Sequence, residues 1–91
     1  MTEPLRARVR AVIREHGRLT TSVDGIADDA DLYQAGLSSH ASVNLMLALE
    51  EAFDVEFPER MLRRRVFESV TSIASAIEEL LRDREVVDPR A

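Results

Sequence analysis

Apolar residues recur every three or four positions in several stretches of this chain, and between those stretches the pattern lapses. Leu5, Val9, Val12 and Ile13 predict a first helix over residues 3–16, with Pro4 tolerated in its first turn and Gly17 as its stop. Arg6, Arg8, Arg10, Arg14 and Glu15 occupy its other faces. From residue 17 to 38 the apolar residues scatter: Leu19, Val23, Ile26, Leu32 and Tyr33 stand among Gly, Asp, Ser and Thr. That composition predicts a long loop anchored by those five side chains. In so small a domain, such a loop either serves function or is held down tightly.

A second helix is predicted from Ser39 to Phe53, and at about 100° per residue its two sides differ in kind. Ala41, Ser42, Leu45, Met46, Ala48, Leu49, Ala52 and Phe53 form a broad core stripe. Ser39, His40, Val43, Asn44, Leu47, Glu50, Glu51 and Asp54 fall on the opposite side. Val43 and Leu47 are thus two aliphatics one turn apart on a polar face, in line with Ser39. Taken singly they read equally well as ordinary exposed apolar surface. After Pro58 the pattern predicts a short third helix, about 59–65, with Met61 and Leu62 turned inward. Phe67 leads to a fourth, from Ser69 as N-cap through Ile73, Ala76, Ile77, Leu80 and Leu81 to about Arg84. The remaining "EVVDPRA" reads as a flexible tail over 85–91, leaving a domain of residues 1–84. With no strand signal, repeat or low-complexity segment, the fold class is all-α: a small four-helix bundle with a long loop between the first and second helices.

Composition narrows the function classes. The 91 residues suffice for one domain, and there is no cysteine, which removes disulfides, thiolate metal sites and a cysteine nucleophile. No apolar run approaches the roughly 20 residues of a membrane span, and "MTEPLRARVRAVIREHG" lacks a signal-peptide core. The reading is a soluble, cytoplasmic monomer. A net charge of -5 argues against nucleic acid as a partner. Charge is clustered, with Asp24, Asp28, Asp29 and Asp31 in the long loop and Glu50, Glu51, Asp54 and Glu56 near the end of the second helix. Every cation is an arginine, and Arg60, Arg63, Arg64 and Arg65 crowd into "ERMLRRRV". That cluster is either a solvated face or a docking patch for an acidic partner surface.

The adjacent serines in "GLSSHASV" have different geometric prospects. A serine at an N-cap turns its oxygen back onto the free N–H groups of the first turn, which suits Ser38. Ser39 then projects outward, where the helix dipole favours negative charge and a phosphate ester would be accommodated. The alternative is that both serines only cap the helix. A hydrolytic role is disfavoured, because neighbours on a helix point about 100° apart, so His40 is badly placed as a base for Ser39. No glycine-flanked nucleophile elbow surrounds the serine. His16 reads as a helix-end residue, and two histidines without cysteine make a poor metal set.

The stretch from Ala30 to Pro58, "ADLYQAGLSSHASVNLMLALEEAFDVEFP", resembles the acyl carrier and peptidyl carrier protein family. The order of elements matches over about residues 3–84. In that family a serine at the start of the second helix, usually within Asp-Ser-Leu and shortly after a glycine, carries 4′-phosphopantetheine. The register of "LMLALEEAFDVEFP" puts Ser39 on the modified serine, Gly36 on the glycine and Ser38 on the aspartate. Four features depart from the fatty-acid carriers. Ser38 replaces the aspartate, His40 a leucine and Asn44 a frequent acid, while "RMLRRR" makes the third helix basic. "GLSSHASVNLM" is similar instead to the bacterial aminoacyl carrier proteins, loaded by ATP-dependent ligases resembling a class II seryl-tRNA synthetase core.

That resemblance implies glycine or alanine as cargo, activated as an adenylate and passed to the thiol of the arm. It also implies a phosphopantetheinyl transferase that installs the arm and a downstream enzyme that accepts the acyl group. The chain itself would not be an enzyme. The expected partner face comprises His40, Val43, Asn44 and Leu47, with Arg60, Arg63 and Arg64 on the third helix. Two other classes stay open: a carrier of fatty-acyl or polyketide units, and a noncatalytic helical interaction module in which Ser39 is only a cap.

Overall fold

The computed structural model describes residues 3–86, which contain three α-helices: α1 (Glu3–His16), α2 (Ser39–Phe53) and α3 (Val70–Val86). Short 3₁₀ segments, Val23–Gly25, Glu59–Met61 and Arg64–Phe67, lie in the connections. Val9 and Ile13 of α1 are buried against Ala41, Leu45, Leu49 and Phe53 of α2 and Val70, Ile73, Ala74 and Ile77 of α3. The apolar stripe expected along α2 is therefore the core seam, although Ala52 at its edge is exposed. α1 ends where the Gly17 N–H donates to the Ile13 carbonyl at 2.7 Å. A Cβ on Gly17 would lie 2.8 Å from that same oxygen, so the stop depends on glycine for close approach. The left-handed turn itself is made one residue later, by Arg18 (φ 52°).

Ser69 caps α3 as the sequence predicts, and does so reciprocally. Its hydroxyl accepts from the Ser72 N–H at 3.0 Å, while the Ser72 hydroxyl accepts from the Ser69 N–H at 3.0 Å. This is a capping box with serine in the place usually held by glutamate. α3 continues to Val86, two residues past its expected end. Residues 87–91 of the expected tail lie outside the described residues.

The long loop is tied down from three directions. Val23 and Leu32 are buried, and Leu19, Ile26 and Tyr33 pack partly on the core. The Leu32 N–H donates to the Glu68 carbonyl at 2.6 Å, and the Thr71 N–H to the Asp28 carbonyl at 2.9 Å, joining the loop to the start of α3. Arginines of α1 supply the third tether. Arg10 donates to the Val23 carbonyl at 2.6 Å, the Ile26 carbonyl at 2.8 Å and the Asp28 carboxylate at 2.6 Å. Arg6 also reaches Asp28, and Arg14 reaches Asp24. Asp24 and Asp28 of the acidic loop are thus paired with the basic face of α1.

The expected third helix over 59–65 does not form, so the four-helix count is corrected to three. Its place is taken by the two 3₁₀ segments, separated by Leu62 (φ -87°, ψ 63°) and an extended Arg63. Seven residues are too few for a helix to propagate unaided, and arginines at 60, 63 and 64 repel one another at helical spacing. Packing also opposes a helix there. Phe57 and Phe67 meet edge to face with ring centroids 5.3 Å apart, which pins both ends of the segment. Met61 is buried as expected, but Leu62 is 49% exposed rather than turned inward.

Candidate functional site

Ser38 is the N-cap of α2, in extended geometry, and its hydroxyl accepts from the Ala41 N–H at 3.0 Å. Ser39 is the first helical residue and is exposed. Its carbonyl accepts from the Ser42 hydroxyl at 2.7 Å, and its side chain makes no hydrogen bond to His40. The N–H groups of Ser39 and His40 belong to the first turn and have no acceptor within the helix. Together with the helix dipole they favour an anion at the Ser39 oxygen.

Gly36 stands three residues before Ser39 with φ 114°, a conformation that L side chains rarely adopt. A Cβ there would lie 2.7 Å from the Thr20 nitrogen, which donates to the neighbouring Ala35 carbonyl at 3.0 Å. Glycine lets the loop turn tightly against residue 20 and delivers Leu37, buried, to the base of α2. The Ser38–Ser39 pair is therefore placed by a tethered turn.

Beside Ser39 opens a cavity of about 550 Å³ between α2 and residues 62–67. Ser39, Ser42, Val43 and Met46 of α2 face Leu62, Arg63, Arg64 and Phe67 across it, with Tyr33 at the margin. The Arg64 guanidinium lies 3.8 Å from the centroid of the Tyr33 ring, and the Tyr33 hydroxyl donates to the Arg64 carbonyl at 3.3 Å. Desolvation raises the Tyr33 pKa above its ordinary value, outweighing the opposing pull of Arg64. Met46, expected in the core stripe, and Leu62, expected inward but half exposed, line the cavity from its two sides. The signal available was the spacing of Met46 from Ser39 on the helix; the far wall is created by the non-helical path after Pro58.

The other expected site residues divide. His40, Val43, Asn44 and Leu47 are exposed on α2, with Val43 and Leu47 each 53% accessible. Glu50, placed on the same polar side, instead turns its carboxylate to accept from the Phe57 N–H at 2.9 Å. The three arginines do not share one helical face. Arg60 pairs with Glu79 at 3.1 Å and Asp83 at 3.9 Å on α3, whereas Arg63 and Arg64 line the cavity beside Ser39. No cluster of metal-ligating side chains occurs among the described residues, and no helix is long and apolar enough to cross a membrane.

An exposed serine hydroxyl at a helix N-terminus, delivered by a glycine turn and flanked by two guanidiniums, suits attachment of a phosphorylated group. Comparison with known proteins gives the same class. Residues 7–80 match the family described as "Phosphopantetheine attachment site", and the chain belongs to that family. It is 49% identical over 81 residues to an aminoacyl carrier protein of Agrobacterium fabrum, covering 89% of this chain and 98% of the relative. Among solved structures it is similar to a chain from the crystal structure of an engineered Bradyrhizobium japonicum glycine:[carrier protein] ligase complexed with carrier protein from Agrobacterium tumefaciens and ATP. That match has 51% identity and a TM-score of 0.80, covering 82% of this chain and 97% of the other. A solution structure of an Agrobacterium tumefaciens protein matches at 49% identity and a TM-score of 0.71, covering 90% of this chain and 99% of the other.

Proposed function

We propose that this protein, through a carrier domain of residues 1–84, holds a small amino acid, glycine or alanine, as a thioester on 4′-phosphopantetheine attached to Ser39. The observation that carries the reading is the division of labour between the serines: Ser38 is engaged with the Ala41 N–H, and Ser39 is exposed at the first helical position. The prosthetic group supplies a thiol, which a chain without cysteine lacks. A phosphopantetheinyl transferase brings its own base, so the carrier contributes position. The Ser39 and His40 amides and the end of the helix dipole stabilise the phosphodiester, and the Gly36 turn holds the serine clear of the loop.

The amino-acid cargo is supported by the high identity to an aminoacyl carrier protein and by the likeness to a chain from a glycine:[carrier protein] ligase complex. An ATP-dependent ligase of that kind is the loading partner, and a downstream acyl-accepting enzyme discharges the carrier in the cytoplasm. Val43 and Leu47, rimmed by His40 and Asn44, form a small apolar centre beside the arm, the composition of a transient interface. Arg63 and Arg64, which line the cavity with Val43, extend that face as a charged rim, and Arg60 lies apart from them, paired with two carboxylates of α3. The holo protein is tested with glycine:[carrier protein] ligase, ATP and each amino acid, followed by intact mass and by hydroxylamine release. Loading with glycine or alanine supports the reading. Acylation only by fatty-acyl or malonyl transferases would move the protein to another carrier class.

A further inference from the structure

The four arginines crowded into "ERMLRRRV" are sent to different places by the non-helical path after Pro58. Arg60 turns to Glu79 and Asp83 of α3, and Arg65 is exposed without lining the cavity beside Ser39. Arg63, in extended backbone (φ -128°, ψ 150°), and Arg64 after it line that cavity together with Ser39. Arg6, Arg10 and Arg14 are each paired with an aspartate of the long loop. Among the described residues neither Arg63 nor Arg64 has such a partner: Arg63 gives its Nε to the Arg60 carbonyl at 3.3 Å, and the Arg64 guanidinium lies over Tyr33. No carboxylate lines the cavity, and the neighbours of Ser39 in the chain, Ser38 and His40, are not acids. Two uncompensated guanidiniums beside one reactive hydroxyl suit an anion that arrives with the reaction of that hydroxyl.

We propose that Arg63 and Arg64 bind the diphosphate of coenzyme A while the arm is transferred to Ser39, so that the carrier supplies part of the donor's binding site. The proposal rests on Ser39 being the attachment site. In the transfer, the Ser39 oxygen bonds to the phosphorus next to the pantetheine, the bond from that phosphorus to the bridging oxygen breaks, and the electron pair leaves with adenosine 3′,5′-bisphosphate. The serine proton goes to the base of the transferase. The diphosphate must therefore lie against the Ser39 oxygen, beside the two arginines that line the same cavity. Negative charge gathers on the bridging oxygen as its bond breaks, and a guanidinium fork matches phosphate oxygens two at a time. Positive charge held at the reacting phosphates is the main lever on phosphoryl transfer. An acidic surface of a partner would also satisfy these arginines, but it gives no reason for both to stand beside the one oxygen that reacts.

The test is one of binding. The Ser39→Ala carrier, which cannot react, is titrated by calorimetry into a broad-specificity phosphopantetheinyl transferase, with and without coenzyme A. A carrier that touches the donor makes the two bind cooperatively, and the coupling is reciprocal. Coenzyme A is expected to tighten carrier binding. Arg63→Gln or Arg64→Gln, added to Ser39→Ala, should cut that gain roughly fivefold, the factor given by one charge pair at contact distance in water, and change the affinity without coenzyme A by less than about twofold. Arg65→Gln removes the same charge off the cavity and should leave the gain intact, with circular dichroism confirming the fold of each variant. Equal losses with and without coenzyme A, or no gain to lose, would overturn the proposal, because the arginines would then serve only to dock a protein surface. Peptide mapping of the modified wild-type chain checks the attachment reading separately. An arm on Ser39 with coupling untouched by the arginine variants overturns the proposal alone. An arm found elsewhere, or no arm, overturns the attachment reading and the proposal with it.

Discussion

Replacing Arg10 by methionine keeps its aliphatic stem on α1 and removes the guanidinium that gathers the long loop. Three groups lose a donor: the Val23 and Ile26 carbonyls and the Asp28 carboxylate. Each carbonyl bond is part-buried and worth about 1 kcal/mol net. The Asp28 pair, with side chains 21% and 35% exposed, contributes up to about 1 kcal/mol after solvent screening. The sum is about 2–3 kcal/mol, set against a total stability of roughly 5–14 kcal/mol for a domain of this size. At about 4–8 °C per kcal/mol, the midpoint of thermal unfolding should fall by about 10–20 °C. Urea denaturation followed by circular dichroism gives the free energy directly, and the variant should also be modified more slowly because the tethered loop presents the Gly36 turn. Asp28→Asn should lose only the ion-pair share, with the weaker Arg6 contact in addition. A loss below about 0.5 kcal/mol for Arg10→Met would refute the reasoning, because it lies within the ordinary scatter of surface substitutions.

Three further outcomes follow from the site. Gly36→Ala forces a Cβ to within 2.7 Å of the Thr20 nitrogen at φ 114°, and should cost about 1–3 kcal/mol in urea denaturation while slowing arm installation. Val43→Asp and Leu47→Asp, both at exposed positions, should leave the unfolding midpoint nearly unchanged and weaken ligase binding at least about fivefold by calorimetry. The Tyr33 phenol, raised by burial, should titrate above its ordinary value of 10.0, which absorbance at the phenolate band reads cleanly because it is the only tyrosine. Its contribution to stability is fully present below the unfolded pKa and lost as pH rises through the folded one, so Tyr33→Phe should reduce the alkaline fall in stability. A Tyr33 midpoint at or below that of free tyrosine would contradict this.

What could be read from the chain beforehand was what local chemistry decides. The split between Ser38 and Ser39 follows from how a hydroxyl caps a helix, and the exposure of Val43 and Leu47 from a period of 3.6 residues. Ser69 as a cap was legible for the same reason, although its partner Ser72 was hidden by the usual preference for glutamate or glutamine at that position. The segment after Pro58 was misread because periodicity cannot register a constraint set from outside. Phe57 and Phe67 meet only in the folded core, and their pairing decides the path of the nine residues between them. Glu50 left its expected polar face for a similar reason, since the Phe57 amide it serves is brought to it by the turn after α2. Arg10 looked like a solvated helix residue until loop closure supplied its three acceptors. The cavity was invisible in sequence because its far wall is the irregular segment itself.

The central claim is that Ser39, and not its neighbour, carries the arm. It is tested most directly by coexpressing the protein and its Ser39→Ala and Ser38→Ala variants with a broad-specificity phosphopantetheinyl transferase, followed by intact mass and peptide mapping. The account predicts one phosphopantetheine per chain, mapped to Ser39, none on Ser39→Ala, and slower but complete addition to Ser38→Ala. The latter variant should lose about 0.5–2 kcal/mol with its cap. An arm mapped to Ser38 or Ser42, or an unmodified wild-type chain, would contradict it.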